Sequence, residues 1–305
     1  MSTDPGRTEP GGTEPGRAEP GGTEPSPARG ERVGSGQWCA GERALFLDSK
    51  GRRYLVTLTA GGRFHTHAGV VEHDEVIGAP AASEVRSATG AVYVVVRPTL
   101  ADTVLAMPRG AQVVYPKDLG AILVAADIFP GAAVLEAGVG SGALSMALVR
   151  AGAEVVGYEV RADFAQRARA NVAAFVAGGR AGAWAPSYRV EERDVYEGIE
   201  EVGLDRVVLD LPEPWRVLGP AAEAMTPGGI LVAYVPGVLQ VSALRDALAV
   251  PGSPWALAET FEVLHRGWHV EGRSVRPGHR MVAHTGFLTV ARLLAGPHPN
   301  RSAGP

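Results

Sequence analysis

The chain has 305 residues, 46% apolar and 20% charged, enough for one large domain and a smaller one around a real hydrophobic core. A net charge of −4 excludes a global basic field, so any hold on nucleic acid must rest on local positive charge. Cys39 is the single cysteine, which excludes an intrachain disulfide and a Cys-x-x-Cys zinc or redox site. No apolar run approaches the roughly 18 residues of a membrane span, and no signal-like leader precedes the first motifs. The expectation is a soluble, cytoplasmic protein without a metal.

Residues 1–30 contain a duplicated decapeptide, GRTEPGGTEP at 6–15 and GRAEPGGTEP at 16–25. Such a segment cannot bury enough surface to offset the entropy of ordering, so a disordered tail is expected. Residues 31–104 read as a small, curled β domain. Ala44–Leu47 and Tyr54–Leu58 flank Asp48-Ser49-Lys50-Gly51 as a hairpin, and Val70-Val71, Val85-Arg86 and Ala91–Val96 continue the series. Residues 105–295 form the expected larger domain, with 296–305 as a flexible end. Pro116-Lys117-Asp118 opens a helical spacing through Leu119, Ile122, Leu123 and Ala126.

From Ala132 strand and helix alternate. Strands are expected at 132–137, 154–159, 188–193, 205–210, 229–235, 259–271 and 285–293. Helices are expected at 142–151, 162–177, 215–225 and 238–249. This alternation predicts an α/β fold with a mostly parallel sheet covered on both faces, the last strand being an antiparallel addition.

Val134–Gly142 is a buried strand entering a glycine-rich turn that opens a helix, a place where backbone passes close beneath a nucleoside. Alone it is ambiguous, because Gly138-x-Gly140-x-x-Ala143 also fits a dinucleotide fingerprint. Glu159 ends the second strand and can accept from both ribose hydroxyls of either cofactor class. Asp194 ends the third, where an acceptor suits an adenine amine. Leu209-Asp210-Leu211-Pro212-Glu213-Pro214-Trp215 follows the fourth strand, so Asp210 stands at the ligand-binding carboxyl edge. Two prolines remove N–H donors and leave carbonyls to accept; acid, carbonyl and aromatic together can take up a flat amino-substituted base. His65-x-His67 lacks a third nearby ligand type and reads as a β-turn pair. Trp268, His269, Arg273, Arg276, His279, Arg280 and His284 form a basic, aromatic-containing loop suited to phosphates and bases. Arg109, Tyr115 and Lys117 near the domain junction are candidates of the same kind.

These residues resemble the tRNA adenine-58 N1-methyltransferase family, especially its actinobacterial members. The likeness rests on Met107–Asp118, Phe64-His65-Thr66-His67, the 134–142 turn, Leu209–Trp215 and His284–Leu288, and it spans about residues 33–295. It implies a class I S-adenosylmethionine-dependent methyltransferase, Rossmann-like with a seven-stranded sheet and a small N-terminal β domain, assembled as a homotetramer acting on tRNA. Within it, Gly138, Val139, Gly140, Ser141 and Gly142 would carry S-adenosylmethionine, Glu159 its ribose and Asp194 its adenine. Gln112, Phe164, Arg193 and Asp210 complete the cofactor set. Asp210 is the candidate catalytic residue, accepting from the adenine N6 amine so that electron density moves toward N1. Arg109, Tyr115, Lys117, Arg276 and His279 are candidate RNA contacts. Rival readings are a nicotinamide-dependent oxidoreductase, a non-catalytic RNA-binding protein, and a methyltransferase acting on another RNA adenosine or a non-RNA substrate.

Overall fold

A computed structural model describes residues 36–110, 112–177 and 187–296. The expected tail at 1–30 and, beyond Gly296, the expected flexible C-terminus lie outside the described residues. The first hairpin forms where expected: β1 (Arg43–Asp48) pairs antiparallel with β2 (Arg53–Thr57). Its turn is fastened by Asp48, whose Oδ1 accepts from the Lys50 and Arg52 amides at 2.9 Å each. β3 (Arg63–Thr66) and β4 (Gly69–Glu72) make a second hairpin, while β5 (Ser83–Arg86) and β6 (Val92–Val96) complete a sheet of order β2-β1-β6-β5. Trp38, Phe46, Leu58, Val71 and Tyr93 fill its core, with Phe64 tilted on Phe46 at 4.9 Å.

The expected boundary at 104/105 falls inside a helix, α1 (Leu100–Ala106). Thr99 and Asp102 exchange side-chain and backbone hydrogen bonds across its first turn, a capping box whose Thr-x-x-Asp spacing stands in the sequence. Arg53 of β2 pairs with Asp102, so the small sheet is tied to this helix. α2 (Pro116–Ala125) then opens on a proline, which suits the first helical position.

The large sheet has order β12-β15-β11-β10-β7-β8-β9. Its parallel strands are β7 (Ala133–Ala137), β8 (Glu154–Tyr158), β9 (Tyr188–Glu191), β10 (Leu204–Leu209) and β11 (Met225–Val235). Helices α3 (Ala143–Arg150), α4 (Ala162–Phe175), α5 (Leu218–Ala224) and α6 (Val238–Leu248) cover the faces. Val134 and Leu135 enter two different core clusters, as alternation along a strand buried on both faces requires. β15 (Phe287–Leu293) pairs antiparallel with β11, as expected for the last strand.

The expected strand at 259–271 is corrected. It is two strands: β12 (Trp255–Glu262) pairs with β15 in the main sheet, whereas β13 (His265–Glu271) leaves it. β13 pairs with β14 (Ser274–Val282), so the expected basic loop is largely a hairpin. Among the described residues, no helix is long and apolar enough to cross a membrane.

Candidate active site

The strand order turns back between β7 and β10, and ligands in open α/β sheets bind in the crevice at such a reversal. Pairing sets Ala137 opposite Leu209, so Gly138 and Asp210 emerge side by side at the carboxyl edge. The Asp210 amide donates to the Ala137 carbonyl at 2.9 Å, and the Gly138 amide to the Tyr158 carbonyl at 3.0 Å. Gly138 has φ 83°, and a Cβ there would stand 2.1 Å from the Asp210 carbonyl oxygen, so no larger residue fits. Gly140 has φ 56° with no atom within 4 Å of its Cβ position, which leaves its backbone open. Gly142 caps α3.

Glu159, just beyond β8, fastens this turn. Its Oε2 accepts from the Gly140 amide at 2.9 Å and its Oε1 from the Arg161 amide at 3.0 Å. An ionised carboxylate has about four lone-pair sites, so both oxygens can still receive ribose hydroxyls. Glu159→Ala is expected to weaken S-adenosylmethionine binding by roughly one to two orders of magnitude, since it removes charge-assisted bonds of about 1.5–3 kcal/mol. Unchanged affinity on titration would remove Glu159 from the site.

Gln112, Val113, Val114, Glu136, Gly138–Ser141, Ala143, Leu144 and Asp210 enclose a cavity of about 250 Å³. Glu136 is fully buried; its Oε2 accepts from the Ser145 hydroxyl at 2.6 Å, and its Oε1 has no partner. Burial first, then the charges of Asp210 and Glu159, push its carboxyl up to about 8 against the Ser145 hydrogen bond. Burial and the Glu159 charge push the half-buried Asp210 carboxyl up to about 7. The cavity thus holds carboxyls and no cationic side chain among its lining residues. With the unpartnered Glu136 Oε1 and the likewise unpartnered Ser141 Oγ, it fits a ligand that brings positive charge and polar groups.

A pH effect follows. Between about 4.5 and 8 the unfolded chain has released the Glu136 proton while the folded protein keeps it, so rising pH favours unfolding. The melting temperature of the ligand-free protein should fall across that window, and Glu136→Gln should flatten the fall. Parallel curves for the two proteins would exclude Glu136 as its source.

The structure joins Gln112, Gly138, Val139, Gly140, Ser141 and Asp210 in one cavity, with Gly142 and Glu159 supporting its floor. Phe164, Arg193 and Asp194 do not line it. Phe164 is buried beneath Arg161, whose guanidinium stands 4.0 Å from the ring centroid. Arg193 is paired with Glu191 and Glu200, and Asp194 Oδ1 accepts from the Tyr196 amide at 2.9 Å. Those two residues open instead on a cleft of about 760 Å³ beside Glu197–Glu200.

Two expectations about substrate contacts are corrected. Lys117 is internal: its side chain is only 6% exposed, and its ammonium donates to Asp118 at 2.7 Å and to the Val263 carbonyl at 2.6 Å. The Pro212 carbonyl is taken by Gln240 Nε2 at 2.9 Å and Trp215 packs on the core, so of the acid, carbonyl and aromatic only Asp210 faces the cavity. Tyr115 is half-buried at the start of α2, and Arg109 is exposed. Arg276 and His279 lie on exposed β14, 2.8 Å apart. His67 bonds Arg52, and among the described residues no cluster of three His, Cys, Asp or Glu could hold a metal ion.

Sequence reasoning missed several supporting residues. Asn171, buried on α4, donates to the Ser141 carbonyl at 3.0 Å and the Pro108 carbonyl at 3.1 Å, clamping the glycine turn to the segment before α2. An asparagine inside a helical pattern, where propensity disfavours it, was a usable signal. Thr285 donates to buried Asp118 at 2.6 Å, so the Lys117-Asp118 and His284-Thr285-Gly286 stretches meet in space. Buried Tyr234 lies beside them; burial, then the charges of Asp118 and Asp210, push its hydroxyl up to about 12.

A mostly parallel seven-stranded sheet with β15 inserted antiparallel, a glycine turn after its first strand and an acidic cavity at the reversal define a class I S-adenosylmethionine-dependent methyltransferase. A solved structure from Thermotoga maritima, described as a SAM-dependent O-methyltransferase, superposes with TM-score 0.78 at 30% identity, covering 86% of this chain and 97% of that one. The tRNA (m1A58) methyltransferase TrmI from Aquifex aeolicus superposes with TM-score 0.73 at 27% identity, covering 85% and 99%. Residues 90–276 match the family of the tRNA methyltransferase complex GCD14 subunit, and residues 36–85 match the TrmI-like N-terminal family. The tRNA (adenine(58)-N(1))-methyltransferase TrmI of Thermus thermophilus is 39% identical over 257 residues, 81% of this chain and 95% of the relative. The chain belongs to the TrmI/GCD14 family.

Proposed function

We propose that this chain transfers a methyl group from S-adenosylmethionine to N1 of adenosine 58 in the T-loop of tRNA. The observation that carries the chemistry is Asp210: at the carboxyl edge of β10, half-buried in the cavity wall, with no hydrogen bond or ion pair on its carboxyl among the described residues. The substrate follows from family membership and from the relatives that share it.

S-adenosylmethionine supplies an electrophilic methyl on a sulfonium. The glycine turn and Gln112 would border the cofactor, Glu159 would take its ribose hydroxyls, and the acidic wall would favour its positive charge. Asp210 accepts a hydrogen bond from the adenine N6 amine, which raises electron density at N1 and stabilises the cationic product. The target base must leave its stack, at a cost of roughly a few kcal/mol that phosphate contacts offset. Exposed Arg109, Arg276 and His279 would make such contacts, and internal Lys117 would not.

A cytoplasmic location and a homotetramer belong to the same reading. The exposed β13–β14 hairpin, where Trp268, Val270 and Val275 are each more than 60% exposed, supports self-association. Sedimentation at working concentration tests this part, and a monomer would remove it.

Incubation with labelled S-adenosylmethionine and unmodified tRNA, followed by nucleoside analysis, tests the reaction. The expected result is 1-methyladenosine with one new reverse-transcription stop in the T-loop. A methyl at N6 would overturn the reaction, because N6-methyladenine does not block pairing.

A further inference from the structure

Behind the cavity wall lies a partly buried chain of hydroxyls that the proposed reaction does not use. Tyr188 Oη on β9 donates to Ser145 Oγ on α3 at 3.2 Å, and Ser145 Oγ donates to Glu136 Oε2 on β7 at 2.6 Å. Both hydroxyl protons point toward one carboxyl. Ser145 is 0% exposed and Glu136 1%, so water does not replace these donors. The other carboxyl oxygen, Oε1, belongs to a cavity-lining residue and has no partner. From neighbouring elements, the charged or titratable groups acting on Glu136 are Asp210 after β10, Glu159 after β8 and Tyr188. Arg169 of α4 acts on Tyr188, and no lysine or arginine is among the causes that shift Glu136.

We propose that the Tyr188–Ser145 hydroxyl chain positions Glu136 as a proton-releasing counter-ion, so that S-adenosylmethionine capture expels a proton from the buried wall. Without a cation in the cavity, buried Glu136 faces the charges of Asp210 and Glu159 and holds its proton. A net positive ligand reverses that balance, the proton leaves to solvent, and the carboxylate formed is held by the two-link donor chain. The chain acts through Glu136, so Ser145 and Tyr188 are positioning residues. This rests on the cofactor occupying the cavity at the glycine turn.

Calorimetric titration of the full-length protein with S-adenosylmethionine, in pairs of buffers of different ionisation enthalpy, counts the protons released. The difference between wild type and Glu136→Gln isolates this residue from Asp210 and from the cofactor's own amine. With Glu136 near 8, that difference should be about three-quarters of a proton at pH 7.5 and about one-quarter at pH 8.5. Ser145→Ala, nearly isosteric, removes the donor nearest the carboxyl and should move the midpoint up by about one pH unit, raising the pH 8.5 value to about three-quarters. Tyr188→Phe should move it the same way by less. The affinity of Ser145→Ala should approach that of wild type above its raised midpoint, whereas a merely structural defect would weaken binding equally at every pH. Saturable binding with no difference between wild type and Glu136→Gln in protons released overturns the proposal. Absence of saturable binding by the wild type would instead overturn the placement of the cofactor.

Discussion

Asp210→Ala should lower methyl transfer by roughly 10²–10³-fold at saturating S-adenosylmethionine, the usual loss for one electrostatic contact made as charge develops. The carboxyl has no other bond to lose, so its removal leaves neighbouring structure intact. Saturating cofactor matters because the same carboxyl lines the cavity and its loss weakens binding as well. Asp210→Asn keeps the shape and an acceptor oxygen but no charge, and should fall between wild type and alanine. The sign of the pH effect follows from the raised carboxyl. Near 7 in the ligand-free protein, Asp210 must be ionised to bring charge to the N6 contact and to the sulfonium, so kcat/KM for S-adenosylmethionine, which reports the free enzyme, should rise with pH through that value. The Asn variant should lose that limb. An alanine variant that still produces the T-loop stop at wild-type rate would sink the role assigned to Asp210.

The catalytic edge was legible because its signals are local. Strand 133–137, the glycine turn and Asp210 after β10 are each written in a few consecutive residues, and the edge of a parallel sheet gathers them. The parts that were not legible depend on distance in space. Glu136 stands out before the glycine turn as an acid that hydride transfer does not require, but its supporting chain, Ser145 nine residues later and Tyr188 on another strand behind Ser145, is assembled only in space. Lys117 beside Tyr115 looked like a phosphate ligand because nothing local says that Val263 stands over it, 146 residues away in sequence. The hairpin at 265–282 was hidden for a different reason. Its strands carry polar and apolar residues on both exposed faces, so alternation against a core, the main strand signal, is missing. The capping box of α1 was in plain view, but a seven-residue helix is too short for its periodicity to stand out.

Lys117 and Asp118 supply the second large effect, on stability. Asp118 is fully buried and accepts from Lys117 at 2.7 Å and Thr285 at 2.6 Å, joining the start of α2 to the segment before β15. Asp118→Ala would leave the Lys117 ammonium buried with only the Val263 carbonyl for company. Breaking such a pair from one side typically costs about 3–5 kcal/mol, because the stranded charge keeps its desolvation penalty without its partner. For a chain of this size that corresponds to a fall in melting temperature on the order of 10 °C. Removing both charges together, as Lys117→Met with Asp118→Leu, strands no charge and leaves only the neutral Thr285 hydroxyl and Val263 carbonyl without these partners, so it should be milder than Asp118→Ala alone, despite being the larger change. Thr285→Val deletes one hydrogen bond and leaves the pair, so it should cost least, roughly 1–3 kcal/mol. Thermal unfolding of the three variants gives the order directly. If the double variant proves the least stable, the pair contributes more than it costs to bury, and the stranded-charge account of Asp118→Ala fails.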